Sequence, residues 1–273
     1  MLTILRKMSV VHHNPVQYTL KLGEQDIDLN AQLGMLVDLH YQGVIYCVHC
    51  QRKITKSFQQ GYCFPCYREL LACNLCVIHP ERCRFYEGVC DANHWAHAHC
   101  SQPHVVYLAN SSGLKVGITR VSHIPSRWID QGATQGLIIF TTQNRYQAGV
   151  IEVALKRFVA DKTQWQVMLK GSNSAIDLMA RRDDILQQAQ SSIAELMEKF
   201  GEEIKIVKHA VVTEINYPVL NYPTKITAFN LDKQAQVTGT LLGIKGQYLL
   251  LDTGVINLRK FSGYQTTLRL GIY

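Results

Sequence analysis

The chain has 273 residues, 47% of them hydrophobic and 18% charged, which is the balance of a folded globular protein and excludes wholesale disorder. Its formal net charge of +7 favours an acidic partner. Apolar runs such as 137–140 and 248–251 are short and fall far below the roughly 20 residues a membrane-spanning helix needs. Residues 1–10 carry Arg6 and Lys7 without a long apolar run, so no secretory signal is read there. A cytoplasmic address follows as an expectation, and there nine cysteines are metal ligands or free thiols rather than disulfides.

Residues 1–46 read as an N-terminal β segment. Val16, Tyr18, Leu20 and Leu22 alternate with polar neighbours, the period of a half-buried strand, and 35–45 is a second extended run broken at Gly43. Residues 47–103 form a cysteine-rich region that holds all nine cysteines. Cys47 and Cys50, then Cys63 and Cys66, are two Cys-x2-Cys knuckles with twelve residues between them. Each knuckle offers two converging sulfurs, and a spacer of that length can fold back so that both meet one tetrahedral zinc ion.

Cys73, Cys76, Cys83, Cys90 and Cys100 make a second set, with His79, His97 and His99 among them. Five thiols exceed the four that one zinc needs, so one is spare or a histidine displaces it. An iron–sulfur cluster uses the same number of cysteines and stays open as an alternative. Two structural zinc ions are expected, because no ligand set here leaves an open coordination position for catalysis.

The middle module, 104–172, alternates strands and helices. Residues 105–108 and 116–119 read as strands joined by a hairpin through Ser111, Ser112 and Gly113. Pro125 begins a short helix, 137–142 is a third strand, and 147–158 is a helix with Ile151, Leu155 and Phe158 on one face. Residues 101–170 hold eight basic side chains (Lys115, Arg120, Arg127, Arg145, Lys156, Arg157, Lys162, Lys170) against three acidic ones (Asp130, Glu152, Asp161). A positive field of this kind suits a phosphate backbone.

Within the module, Val105-Val106-Tyr107 precedes Lys115-Val116-Gly117 and Thr119; Arg127 lies on the next helix and Glu152 on the helix after the third strand. This order resembles the GIY-YIG endonuclease superfamily over roughly residues 104–160. With the preceding cysteines, the whole chain resembles a bacterial family that joins cysteine-rich zinc segments to such a module. The resemblance implies metal-assisted phosphodiester hydrolysis, with DNA or RNA as partner. By motif position, Tyr107 would polarise or deprotonate the attacking water. Arg127 would hold the scissile phosphate, and Glu152 would bind one divalent cation, magnesium. Lys115 stands where the commonest motif has tyrosine, and Gln131 where many members place a histidine. Thr119, Arg120, Lys156 and Arg157 are the expected nucleic-acid contacts.

Each residue also has a plainer reading. Tyr107 can be an inward strand residue, Glu152 and Lys156 an i,i+4 pair on a solvated face, and Arg127 a partner of Asp130. A non-catalytic nucleic-acid-binding protein and a zinc-stabilised interaction protein therefore remain as alternatives.

Residues 173–201 read as a long amphipathic helix. Ile176, Met179, Leu186, Ala189, Ile193, Met197 and Phe200 share one face, Ser174 and Asp177 form a capping box, and Gly201 is the stop. Residues 202–273 read as a C-terminal β domain, a small sheet or barrel with turns at 230–232, 243–246 and 252–254. The expected class is α+β: a zinc-knuckle segment, a small α/β module with a three-stranded sheet and helices, the long helix, and the terminal sheet.

Overall fold

The computed structural model describes residues 2–90, 93–159, 164–171 and 174–271; Asp161 and Lys162, counted above, lie outside the described residues. The fold is α+β. The largest sheet runs Leu2–Ile4, Tyr264–Gly271, Leu36–Tyr46, Gln236–Lys245, Tyr248–Leu251, Gly254–Asn257, and Lys53–Ile54 also pairs with Leu36–Tyr46. Every pairing is antiparallel. Strands from the first and last segments of the chain thus share one sheet. A small antiparallel sheet of Ser9–Val11, Gln17–Leu22 and Gln25–Asp28 buries Tyr18, Leu20 and Leu22 as the alternation requires.

Leu36–Tyr46 does not stop at Gly43. Its register against Tyr264–Gly271 slips between Ile45 and Tyr41, and Gly43 takes a φ of +74°, open to glycine without steric cost. The extra residues bulge and the strand continues. Likewise Gly243 lies inside a strand, and the hairpin turn is Gly246 and Gln247 alone.

The module's sheet has the order Ile204–Ile206, Gln135–Thr142, His104–Asn110, Leu114–Arg120, with Thr213–Glu214 also on Gln135–Thr142. The three expected strands are present, and two short strands from beyond residue 202 extend them. Leu114–Arg120 is left as an edge. One face of this sheet, with Val105, Tyr107 and Ala109, shares a core with Trp128, Ile129 and the large sheet's Leu241, Ile244 and Leu249. The other face, with Val106, Leu108, Leu137, Ile139 and Phe140, is covered by Ala148, Ile151, Leu155, Ile185 and Ile193. Burial of Ile151 and Leu155 contributes about 1.5–3 kcal/mol each and holds the helix Arg145–Lys156 on the sheet.

The long helix is two: Leu178–Gln188 and Gln190–Phe200, broken at Ala189, where φ and ψ are −92° and 8°. The cap is Asp177, whose carboxylate accepts from the N–H groups of Met179 and Ala180, and Ser174 lies outside the helix. Asp177 caps because an acceptor two or three residues ahead of free N–H groups satisfies them directly. Gly201 ends the second helix as expected.

Candidate functional site

The cysteine knuckles meet. The sulfurs of Cys47, Cys50, Cys63 and Cys66 all lie within 4.8 Å of one another. Ligands on a tetrahedral ion with bonds of about 2.3 Å stand about 3.8 Å apart. Cys50 Sγ and Cys63 Sγ are 3.7 Å apart, far beyond the roughly 2.05 Å of a disulfide. This cluster can hold a zinc ion. Burial resists ionisation of Cys47, but the N–H groups of Cys50, Cys63 and His49 outweigh it and bring the thiol down to about 6. Burial, with Cys63, Cys50 and Cys47 beside it, pushes Cys66 up to about 12.

The second set of cysteines divides. Cys100 is pushed up to about 11 by burial and, in part, by Cys83, Cys76 and Cys90 nearby. Cys73 is raised by burial and by Cys47 instead. Among the described residues no second group of three ligand atoms closes within 4.8 Å.

The edge strand Leu114–Arg120 runs along a cleft of about 410 Å³. Tyr107, Lys115, Arg127 and Glu152 all line it, together with Thr119, Arg120 and Lys156. Four elements supply the first set: the strand His104–Asn110, the edge strand, the helix Ser126–Asp130, and the helix Arg145–Lys156. Gly117 explains how a tyrosine from behind the edge reaches the cleft. It pairs with Tyr107 across the strands, and a Cβ there would stand 2.6 Å from the Tyr107 hydroxyl. The ring passes through the space that glycine leaves. Gly136 does the same for Trp128, whose ring packs edge-on against Tyr107 with centroids 5.8 Å apart.

Tyr107 is fully buried, and its hydroxyl donates to Gln131 Oε1 at 3.0 Å. Burial raises its pKa, with Arg127 opposing, so it meets neutral solution as a phenol. Glu152 is 8% exposed. Burial raises its pKa, and Lys156, whose Nζ is 3.1 Å from Oε1, pulls it back. The i,i+4 pair exists, yet it faces the cleft rather than a solvated surface. Arg127 does not pair with Asp130, which is held by Lys7 at 3.1 Å and Gln247 at 2.8 Å.

Three contacts tie the cysteine-rich region to the module as a wall of the cleft. Arg120 donates to the Ala98 carbonyl at 3.1 Å, the Arg145 N–H to the Cys100 carbonyl at 2.8 Å, and the Arg145 side chain to the Val77 carbonyl. Five cations therefore line the cleft (Lys115, Arg120, Arg127, Arg145 and Lys156) against one carboxylate, Glu152. The Nε–H groups of Arg127 and Arg145 are buried without an acceptor. Leaving such a donor unsatisfied costs about 1–3 kcal/mol.

A family model described as protein of unknown function (DUF2797) matches residues 34–266. The chain belongs to the DUF2797 family. The matched region contains the cysteine cluster and every cleft residue named above. No curated protein and no solved structure matches the chain.

In this DUF2797 chain one expected contact falls elsewhere: Arg157 is exposed at the end of its helix and does not line the cleft. Arg145 and His104 are among the cleft residues that escaped sequence reasoning. Arg145 entered only a charge count, although Asn144 ahead of it is the helix cap. His104 carried no signal. Its Nδ1 is 2.6 Å from the Gln102 carbonyl, which can only accept, so Nδ1 carries the proton and Nε2 is a buried lone pair without a partner. Burial, with Arg145, Arg120 and His123 adding to it, brings the His104 pKa down to about 4. No helix among the described residues is long and apolar enough to cross a membrane.

Proposed function

We propose that this protein acts on nucleic acid through the cationic cleft, as a divalent-metal-dependent phosphodiesterase of the GIY-YIG kind stapled by structural zinc at Cys47, Cys50, Cys63 and Cys66. One observation carries the reading: a phenol, an ammonium, a guanidinium and a carboxylate from four separate elements line one cleft. A phosphodiester is anionic, and its cleavage needs neutralisation of developing charge and an oriented water.

Arg127 and Lys115, both lining the cleft, would hold the phosphate. Tyr107, kept protonated by burial, would orient the water as a hydrogen-bond partner relayed to Gln131, not as a phenolate base. Glu152 would hold magnesium, which supplies Lewis-acid charge neutralisation and retains most of its own waters. The fit requires Lys156 to release Oε1, and with its side chain 42% exposed it has room to swing away.

A second reading, nucleic-acid binding without cleavage, is favoured by the closed pairings Tyr107–Gln131 and Glu152–Lys156. The test is cleavage of single- and double-stranded DNA and RNA with magnesium, comparing wild type with Glu152→Ala and Arg127→Ala. Both variants should lose cleavage while Glu152→Ala retains binding. If wild type and Glu152→Ala are equally inert on every substrate, the nuclease reading is abandoned; salt-dependent binding by an inert wild type selects the second.

A further inference from the structure

A groove of about 810 Å³ lies beside the cysteine cluster and shares no residue with the cleft. The strand Leu36–Tyr46 forms one side through Tyr41 and Gly43; the knuckle hairpin forms the other through Arg52, Lys53, Lys56, Phe58 and Phe64. No carboxylate lines it.

Its aromatic side is open to water. Phe64 is 51% exposed and Tyr67, one turn along the same short helix, 39%. Phe58 links them: its ring stacks on Tyr67 with centroids 5.7 Å apart and 19° between planes, and meets Phe64 at 5.4 Å. Lys56 sits 5.3 Å over Phe58, and Arg68 5.8 Å over Phe64. An exposed phenylalanine adds little to the knuckle's own core, whose packed residues are Cys47, Cys63, Cys66, Ile54, Tyr62 and Leu70.

The charges separate by what faces them. Arg52 is turned to Cys50, where it offsets thiolate charge. Lys53, Lys56 and Arg68 are exposed, and no ion pair among the described residues includes them. Flat rings open to solvent, interleaved with cations outside any ion pair and set on a groove that no carboxylate lines, match what a flexible polynucleotide presents: bases that stack and phosphates spaced between them. A duplex keeps its base faces inside the helix and cannot use the rings.

We propose that this groove, with the adjoining helix Phe64–Glu69, is a binding site for single-stranded nucleic acid, with bases stacked on Phe64 and Tyr67 and phosphates held by Lys53, Lys56 and Arg68. The site stands apart from the cleft and does not depend on cleavage there.

The test is fluorescence anisotropy of the full chain with fluorescein-labelled fifteen-nucleotide oligo(dT) and oligo(U) across a salt series, on wild type, Phe64→Ala and Lys53→Ala/Lys56→Ala. Metal content and melting temperature of each variant are measured alongside. Removing one stacking ring should weaken binding about 5- to 150-fold. Losing two phosphate contacts should make the slope of log affinity against log salt shallower by about 1.4. If Phe64→Ala, next to Cys63, loses metal, the double lysine variant decides alone. Wild-type affinity and salt slope in that variant overturn the proposal, as does an acidic fifteen-residue peptide bound more tightly than either oligonucleotide. Hydrolysis of bis(p-nitrophenyl) phosphate, too small to span both surfaces, reads the cleft separately and should be unchanged in the groove variants.

Discussion

Replacing Gly149 by alanine sets two effects of known size against each other. Gly149 lies inside the helix Arg145–Lys156, where alanine is ordinarily better by about 0.8–1.0 kcal/mol. Here a Cβ would stand 2.7 Å from Pro80 Cβ and 2.8 Å from both the Glu81 nitrogen and the Pro80 carbonyl carbon. Two of the three atoms are backbone, so no side-chain rotation relieves the clash. To reach ordinary contact at 3.4 Å the wall must retreat by about 0.7 Å. Overpacking of this kind costs about 1–3 kcal/mol and exceeds the helix gain. Gly149→Ala should therefore destabilise by up to about 2 kcal/mol, with a fall of roughly 2–4 °C in melting temperature per kcal/mol. Hydrogen exchange should quicken at the amides of Arg82 and Cys83, which bond to His79 and Pro80. Thermal unfolding and exchange mass spectrometry measure both. A variant with a raised melting temperature and unchanged exchange in that wall would refute the packing of the cysteine-rich region on this helix.

His104 makes stability depend on acid. Its folded pKa of about 4 lies below the ordinary 6.5, so between those values the unfolded chain binds the extra proton. Stability is then full above pH 6.5 and declines by up to about 3 kcal/mol as pH falls to 4. Urea unfolding at both ends of the window should show this loss in wild type and much less in His104→Phe; an imidazole titrating near 6.5 by NMR contradicts it. Metal analysis should find zinc lost in Cys47→Ser with a lowered melting temperature, while Cys73→Ser keeps the zinc of the four-cysteine cluster; equal zinc in both would remove Cys47 from the ligand set.

Local signals carried much of this structure. The knuckle spacing brought Cys47, Cys50, Cys63 and Cys66 together because a Cys-x2-Cys turn converges its sulfurs whatever surrounds it. The hairpin His104–Asn110 to Leu114–Arg120 followed from two apolar runs around 111–113, and the helix Arg145–Lys156 from its apolar spacing. Boundaries were harder. A bulge at Gly43 and a break at Ala189 change φ and ψ at one residue without altering the hydrophobic period.

What the residues settled by themselves is the α+β class, the convergence of four cysteines on one point and the order of the motif side chains. Tertiary structure alone decided that the two ends of the chain share a sheet, that Tyr107 and Glu152 meet around an edge strand, and that Arg145 and His104 join them. The reason is range: spacing along the chain reports which face of one element is apolar, whereas a cleft is made of faces from elements far apart in sequence. Glu152 reads as a solvated i,i+4 partner of Lys156, whereas in the structure its side chain is 11% exposed and lines the cleft.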